Sequence, residues 1–540
     1  MKNRRFLQPI RMMLVLLLCG CGRTISQAPP AISKGAEMPF TPTPPFSPTR
    51  MTSPTWTFFP SPEPSITEKP AATETQTSTV EPPVALSENG PWLAMNDHEG
   101  MWVSNLDGTG LLQLINGQAA PIKSAIAPSG GRLAYFIAPP EPKDLPAGIV
   151  EMNVIQFPSL ARQSIPLVTP PIAPQPGRSA EIQLNNLYAA LVYENDLAWS
   201  PDGSLLAYAG ILSGPSVDLF VYSPVDRTGK QLTSGPTQTI DISWSPGGTY
   251  IASSGALAMY WGEGGGSGPT IDSVWAVRPD GNDLHQIRIY PGGSIDPPHR
   301  IGWVNDHAYV DVYGNLRCGM YGLTFVDVQD SSHYSLVPGL MRMLAFDPNT
   351  GTVLAGVSVI PSGDQRYGDC GPKMDPGFYM ISVFGGKAPQ KLNLEAPQLN
   401  DPSNYFLEWS PTAKRFFTAS NAGVSSIDLN GRVSAIDLSP QTFDVFWTGL
   451  DFVRASPAGT EWVLYNQQGL WLVSPNQPVR PIFTAGRVTD VLWLPDGSAF
   501  LFMSENVLYR YAEAAGEVEK LTIPISTQEY TSWKLSWIMP

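Results

Sequence analysis

The chain is poor in histidine and basic charge, and each shortage removes a class of function. Only five histidines occur in 540 residues. His98, His285, His299, His307 and His333 fall in separate segments without metal-ligand spacing, so each reads as a surface or turn residue and no metal is expected. There is no Gly-x-Ser-x-Gly elbow and no His-Glu-x-x-His pair, which leaves the common hydrolase and metalloprotease arrangements without their residues. Lys and Arg number 33 against 47 Asp and Glu, a formal net charge of −14. Nucleic-acid phosphate needs clustered Lys and Arg, so nucleic acid is not expected as a partner. The apolar run MMLVLLL is too short to span a bilayer as a permanent helix. The Gly-rich EGGGSGP at 263 to 269 joins two strand-like runs and opens no helix with Lys-Ser/Thr behind it, so it reads as a flexible loop tip and no cofactor is called for.

What the chain does contain is a recurring phrase: an apolar run ending in Trp, then Ser-Pro-Asp-Gly or a relic of it, then a second apolar run. It reads LAWSPDGSLLAYAG at 197 to 210, ISWSPGGTYIASSG at 242 to 255, LEWSPTAKRFFTAS at 407 to 420 and VLWLPDGSAFLFMS at 491 to 504. Weaker copies begin at 124, 344 and 453. The flanking runs are β-favouring, Pro201 has the φ wanted at the second position of a tight turn, Asp202 tolerates the bridge region and Gly203 the positive φ that closes a hairpin. Two further strand-like runs follow each hairpin, as in VDLFVYSP and GKQLTSG. Four antiparallel strands per unit make one blade of a β-propeller, an all-β fold. Trp199, Trp244, Trp409, Trp493 and Trp537 then pack between blades, with Pro201, Asp202, Gly203, Asp496 and Gly497 serving the turns.

Nine candidate units begin near 93, 125, 198, 243, 302, 345, 408, 454 and 492. Because propellers usually have four to eight blades, eight is the expected count, within a range of seven to nine. The first unit lacks its Trp-turn strand, and SWKLSWIMP at 532 to 540 supplies one. Pairing the two would close the ring and remove both free edges.

Three segments organise the chain. Residues 1–20 have the basic, apolar and small-residue zones of an export signal. Leu18-Cys19-Gly20-Cys21 resembles the bacterial lipobox, and that resemblance implies a lipid-modified Cys21, a lipoprotein anchored on the extracytoplasmic side of a membrane; Cys19 fits less well, with Leu18 in the small-residue position before it. Without the leader the balance is 29 basic against 47 acidic side chains, about −18. Residues 21–88 are rich in Pro, Thr and Ser and are expected to stay extended as a tether. Residues 89–540 hold the propeller.

Antiparallel alternation places the turns after strands one and three on one face, and the loops after strand two and between blades on the other. The first face is nearly all tight turns. The second is swollen over the earlier blades: 138 to 148, the long crossover 168 to 196, 255 to 272, 290 to 300, and two loops carrying Cys318 and Cys370. These two cysteines fall in equivalent loops of adjacent units in an exported chain, which predicts a disulfide, the alternative being two free thiols. A binding site is expected on this face. Its candidates are Tyr260, Trp261, Glu263, His299, Arg300, Arg317, Tyr321, Asp364, Arg366, Tyr367, Asp369 and Lys373, where aromatics beside Arg and Asp suit a peptide or a sugar; the alternative is that they plug the ring mouth and satisfy one another.

The phrase from Trp199 to Tyr208 is similar to the PD40 (WD40-like) repeats of the TolB family and of propellers that precede prolyl oligopeptidase hydrolases. The resemblance covers about 90 to 540 and implies the fold. Those propellers variously bind proteins, gate proteases or, in one lyase family, degrade pectic oligosaccharides. No hydrolase segment follows the repeats and the lyase's His-rich metal site has no match, so neither activity is carried over. The expectation is a non-catalytic lipoprotein whose propeller binds a protein or peptide partner. A carbohydrate or small-ligand binder using Tyr260, Trp261 and Tyr367, and an enzyme with a carboxylate site in the ring mouth, remain as alternatives.

Overall fold

The computed structural model describes residues 55–57 and 85–540, apart from 97–99, 117–121, 195, 262–266, 295–298, 316–318, 358–373, 385–386, 397–404, 421–422, 438–452, 467, 475–476 and 522–532. Among them the strands group into nine antiparallel blades of four. All nine candidate units form blades, so the expected eight becomes nine. The unit near 302, whose Trp is followed by Asn305-Asp306 in place of the turn, is a full blade: one long strand, His333–Asp347, closes it with its first half and opens the next with its second.

Blade 1 confirms the closure. Lys534–Ile538 pairs with Trp92–Asn96 in the register Leu93 to Trp537, and Gly100–Ser104 and Leu112–Asn116 complete the sheet. Blades 2, 3 and 4 span 122–168, 198–231 and 238–294, and blade 9 spans 488–520.

Each part of the repeated phrase has a visible job. In blade 3 the Asp202 Oδ1 accepts from the Ser200 hydroxyl at 2.6 Å and the Ser204 N–H at 3.0 Å. These donors, the Ser200 hydroxyl foremost, hold the Asp202 carboxyl below its ordinary range. Gly203 turns the corner at φ +71°, where an added Cβ would lie 2.8 Å from the Ser129 carbonyl of the neighbouring blade. The tryptophans staple neighbours: Trp199 Nε1 donates to Ala125 O at 3.0 Å, Trp244 Nε1 to Ala198 O at 2.8 Å and Trp493 Nε1 to Arg454 O at 3.1 Å. Trp409 departs from this pattern, its buried Nε1 having no hydrogen-bond partner among the described residues.

Two features depart from the sequence reading. Thr55–Thr57, inside the segment expected to stay extended, pairs antiparallel with Thr228–Gln231 and adds a fifth strand to the edge of blade 3. The loop expected at 255 to 272 is mostly strand: Ile251–Trp261 and Ser267–Val277 continue as a long hairpin, because its residues alternate in a β-compatible pattern and pair out to Trp261 and Ser267.

Candidate functional site

The long crossover between blades 2 and 3 carries an α-helix, Ala180–Val192. The run AEIQLNNLYAALV has no Gly or Pro and few β-branched residues, and the Ser179 Oγ caps it by accepting from the Ile182 N–H at 3.3 Å. One stripe, including Leu187, Ala190 and Leu191, is buried in a core shared with Phe136, Trp199 and Ile240, and so ties the helix to blades 2 to 4. Burial of each leucine of this stripe stabilises by about 1.5–3 kcal/mol. A second stripe, Ile182, Asn185, Asn186, Ala189 and Tyr193, lies at helical spacing and faces a cavity of about 670 Å³.

The opposite walls of this groove come from the swollen loop of blade 2, through Pro140 and Pro142, and from the long hairpin of blade 4, through Ala258 and Met259. The Tyr188 hydroxyl donates to Pro139 O at 2.9 Å and fastens the proline loop to the helix. Burial, helped by Tyr193 and by the carboxylates of Asp144 and Glu141, pushes Tyr188 up to about 12, so its hydroxyl stays protonated as a donor at any physiological pH. The rings of Tyr188 and Tyr193 meet edge to face at 5.8 Å and 73°. Tyr193 and Ile182 leave about half of their surface open, at 52% and 55%.

Two polar residues of the groove are held in place. Asn186, only 4% exposed, accepts from the Met259 N–H at 2.7 Å through Oδ1. Because that backbone group can only donate, the amide orientation is set and Nδ2 is a donor, closed to solvent and without a hydrogen-bond partner among the described residues. Arg178 donates to Leu257 O and brings its remaining guanidinium donors to the N-terminal end of the groove. The arrangement offers an apolar trough with fixed donors, suited to binding a ligand that has carbonyl acceptors.

On the same side of blade 3, Asp218 is buried with the Ser216 hydroxyl at 3.4 Å and the Gln231 Nε2 at 3.1 Å. Burial pushes its carboxyl up to about 8, so it is largely protonated at pH 7. On the inner strands of blades 7 to 9 a charged relay runs from Glu408 to Arg454 at 3.4 Å and from Arg454 to Asp490 at 3.3 Å, ending where Asp490 Oδ2 accepts from the Leu535 N–H of the closing strand at 2.8 Å.

Of the residues chosen from sequence, Tyr260, Trp261, His299, Arg300 and Tyr321 have their backbone in strands, with side chains outside the described residues. Glu263, Arg317, Asp364, Arg366, Tyr367, Asp369 and Lys373 lie outside them, as do Cys318, Cys370 and Cys21. The groove residues were missed because the crossover was read as a loop. Its Ser cap and 3.6-residue periodicity were the available signal. No group of three metal-ligating side chains occurs among the described residues.

No family model matches the chain, and no curated protein does. Among solved structures it is similar to a putative TolB from Agrobacterium tumefaciens, at 16% identity and a TM-score of 0.27 over 47% of this chain and 80% of that one. An oligogalacturonate lyase in complex with manganese matches at 11% identity and a TM-score of 0.34, over 71% of this chain and 93% of that one. The dipeptidyl peptidase 4 of Porphyromonas gingivalis matches at 10% identity and a TM-score of 0.44, over 74% and 59%.

Proposed function

We propose that this protein is an exported lipoprotein, anchored through Cys21 on the extracytoplasmic side of a bacterial membrane, whose propeller captures a protein or peptide partner in the groove along the helix. The observation that carries the reading is the groove itself: an apolar trough with two open side chains, Ile182 and Tyr193, on a helix held rigidly by a shared core. Rigid walls and exposed aromatic anchors are what a peptide site needs to limit the entropy lost on binding. The leader pattern supports the anchor, and residues 21–54, ahead of the strand Thr55–Thr57 on blade 3, would give the ring reach from it. The reading assigns binding and no reaction.

The test is co-purification from membranes with a tagged full chain, in wild type and in Tyr193→Ala. A protein recovered by the wild type and depleted at least five-fold by Tyr193→Ala supports the reading; equal recovery sinks the groove as the partner site. Cys21→Ser should release the protein from the membrane fraction or leave its leader uncleaved. Unchanged membrane retention with normal processing would overturn the anchor.

A further inference from the structure

We infer that the groove takes a proline-rich segment of the partner in the extended polyproline II conformation, an inference that rests on the groove being the partner site. Three observations point the same way.

The first is hydrogen-bond polarity. The guanidinium of Arg178 lines the groove as a donor and Asn186 Nδ2 lies closed off in its wall as a second, while the carbonyls next to the lining, Pro139 O and Leu257 O, already accept from Tyr188 and Arg178. Asn185, the remaining lining amide, is exposed and free to turn either end to a ligand. A polyproline II segment has no internal hydrogen bonds, so its carbonyls are all available, and its prolines carry no N–H in need of an acceptor. An ordinary extended or helical peptide lacks this match. A ligand carbonyl that draws Asn186 Nδ2 out of its closed position also relieves a buried unpaired donor, which otherwise costs about 1–3 kcal/mol.

The second is shape. Tyr193, half open and backed edge to face at 73° by the buried Tyr188, presents an aromatic face, and Pro140, Pro142 and Ile182 continue the apolar wall. Proline-rich ligands use aromatic-lined grooves of this kind, where a stiff peptide loses little entropy on docking. The third is length. The helix of 13 residues makes a groove of about 18 Å, which roughly six residues of polyproline II would fill.

The experiment is fluorescence anisotropy on the full chain with two labelled ten-residue peptides. In one, proline alternates with leucine and threonine; in the other every proline is alanine. The proline peptide is expected to bind at least ten-fold more tightly than its alanine counterpart, and to lose at least ten-fold in affinity with Tyr193→Ala and with Ile182→Asp. Ile182 is exposed in the first helical turn, where an acidic residue is tolerated, so that second variant remains informative if Tyr193→Ala disturbs the fold. Equal affinity for the two peptides, with both variants still abolishing binding, overturns the proline inference and leaves the groove as the partner site. Proline-peptide binding that ignores both variants, or no binding of either peptide, overturns the inference; membrane co-purification unchanged by Tyr193→Ala then overturns the groove reading separately.

Discussion

The indole N–H of Trp537 donates to the backbone carbonyl of Trp493 across 2.8 Å, so the last repeat tryptophan staples the closing strand to blade 9. Trp199, Trp244 and Trp493 make the same kind of link to the first strand of the preceding blade. The ring is thus joined by one device used repeatedly, and its seam lies where the two ends of the domain meet.

Trp537→Phe keeps most of the ring volume and removes the hydrogen bond. It should cost about 1 kcal/mol in chemical denaturation. Deleting residues 534–540 removes the strand paired with Trp92–Asn96 and should abolish the cooperative transition altogether. A truncated chain that still melts in one sharp step would show that the seam is dispensable.

Arg454 bridges Glu408 and Asp490, whose carboxylate side chain is 3% exposed. Arg454→Ala leaves that buried acid without its cation and should destabilise by about 3 kcal/mol. Arg454→Ala with Asp490→Asn in the same chain should recover part of the loss, since the more deeply buried of the two carboxylates is then neutral and only Glu408 is left without its cation. Additive losses in the double variant would contradict the relay.

Asp218 gives a pH dependence of definite sign. Unfolded, an Asp ionises near 4, whereas in the fold Asp218 keeps its proton up to about 8. Between those values the unfolded chain has released a proton that the folded chain retains. Asp218's contribution to stability therefore falls as pH rises through this window and levels off above it. Asp490, also pushed up by burial, acts in the same direction, so the measurement is a difference. Asp218→Asn should lose less stability than wild type between pH 5 and pH 8.5, read from urea midpoints; parallel losses would remove Asp218 as the cause.

Two glycines separate backbone strain from contact between blades. Gly459 sits at φ +69°, and a Cβ there would lie 2.2 Å from the Thr412 carbonyl in the turn of the neighbouring blade. Gly516 has φ +66° with nothing within 4 Å. Gly516→Ala should cost about 1 kcal/mol for its left-handed backbone alone, and Gly459→Ala about 2 kcal/mol or more. Similar melting temperatures for the two would mean that the turn face yields easily.

The fold was largely legible because its cause is local and repeated. Trp199, Pro201, Asp202 and Gly203 each act within a few residues of themselves, so one good copy explains the weaker ones. All nine units can be counted in the sequence, and eight is expected within a range of seven to nine because propellers usually have four to eight blades; the structure has nine. The groove was less legible. The swollen face and the early blades could be read from loop lengths, but Arg178, Asn186, Tyr188 and Tyr193 lay in a crossover taken for a loop.

By itself the sequence determined the propeller, the closing strand and the division into a plain and an elaborated face, because turn chemistry and β-patterning are short-range. Only the tertiary structure decided that there are nine blades, that Asn186 keeps an unpaired donor at the groove, and that Asp218 holds its proton. Those properties depend on which distant groups share a buried space: Met259 orients Asn186 from another blade, and the shell packed around Asp218 excludes water.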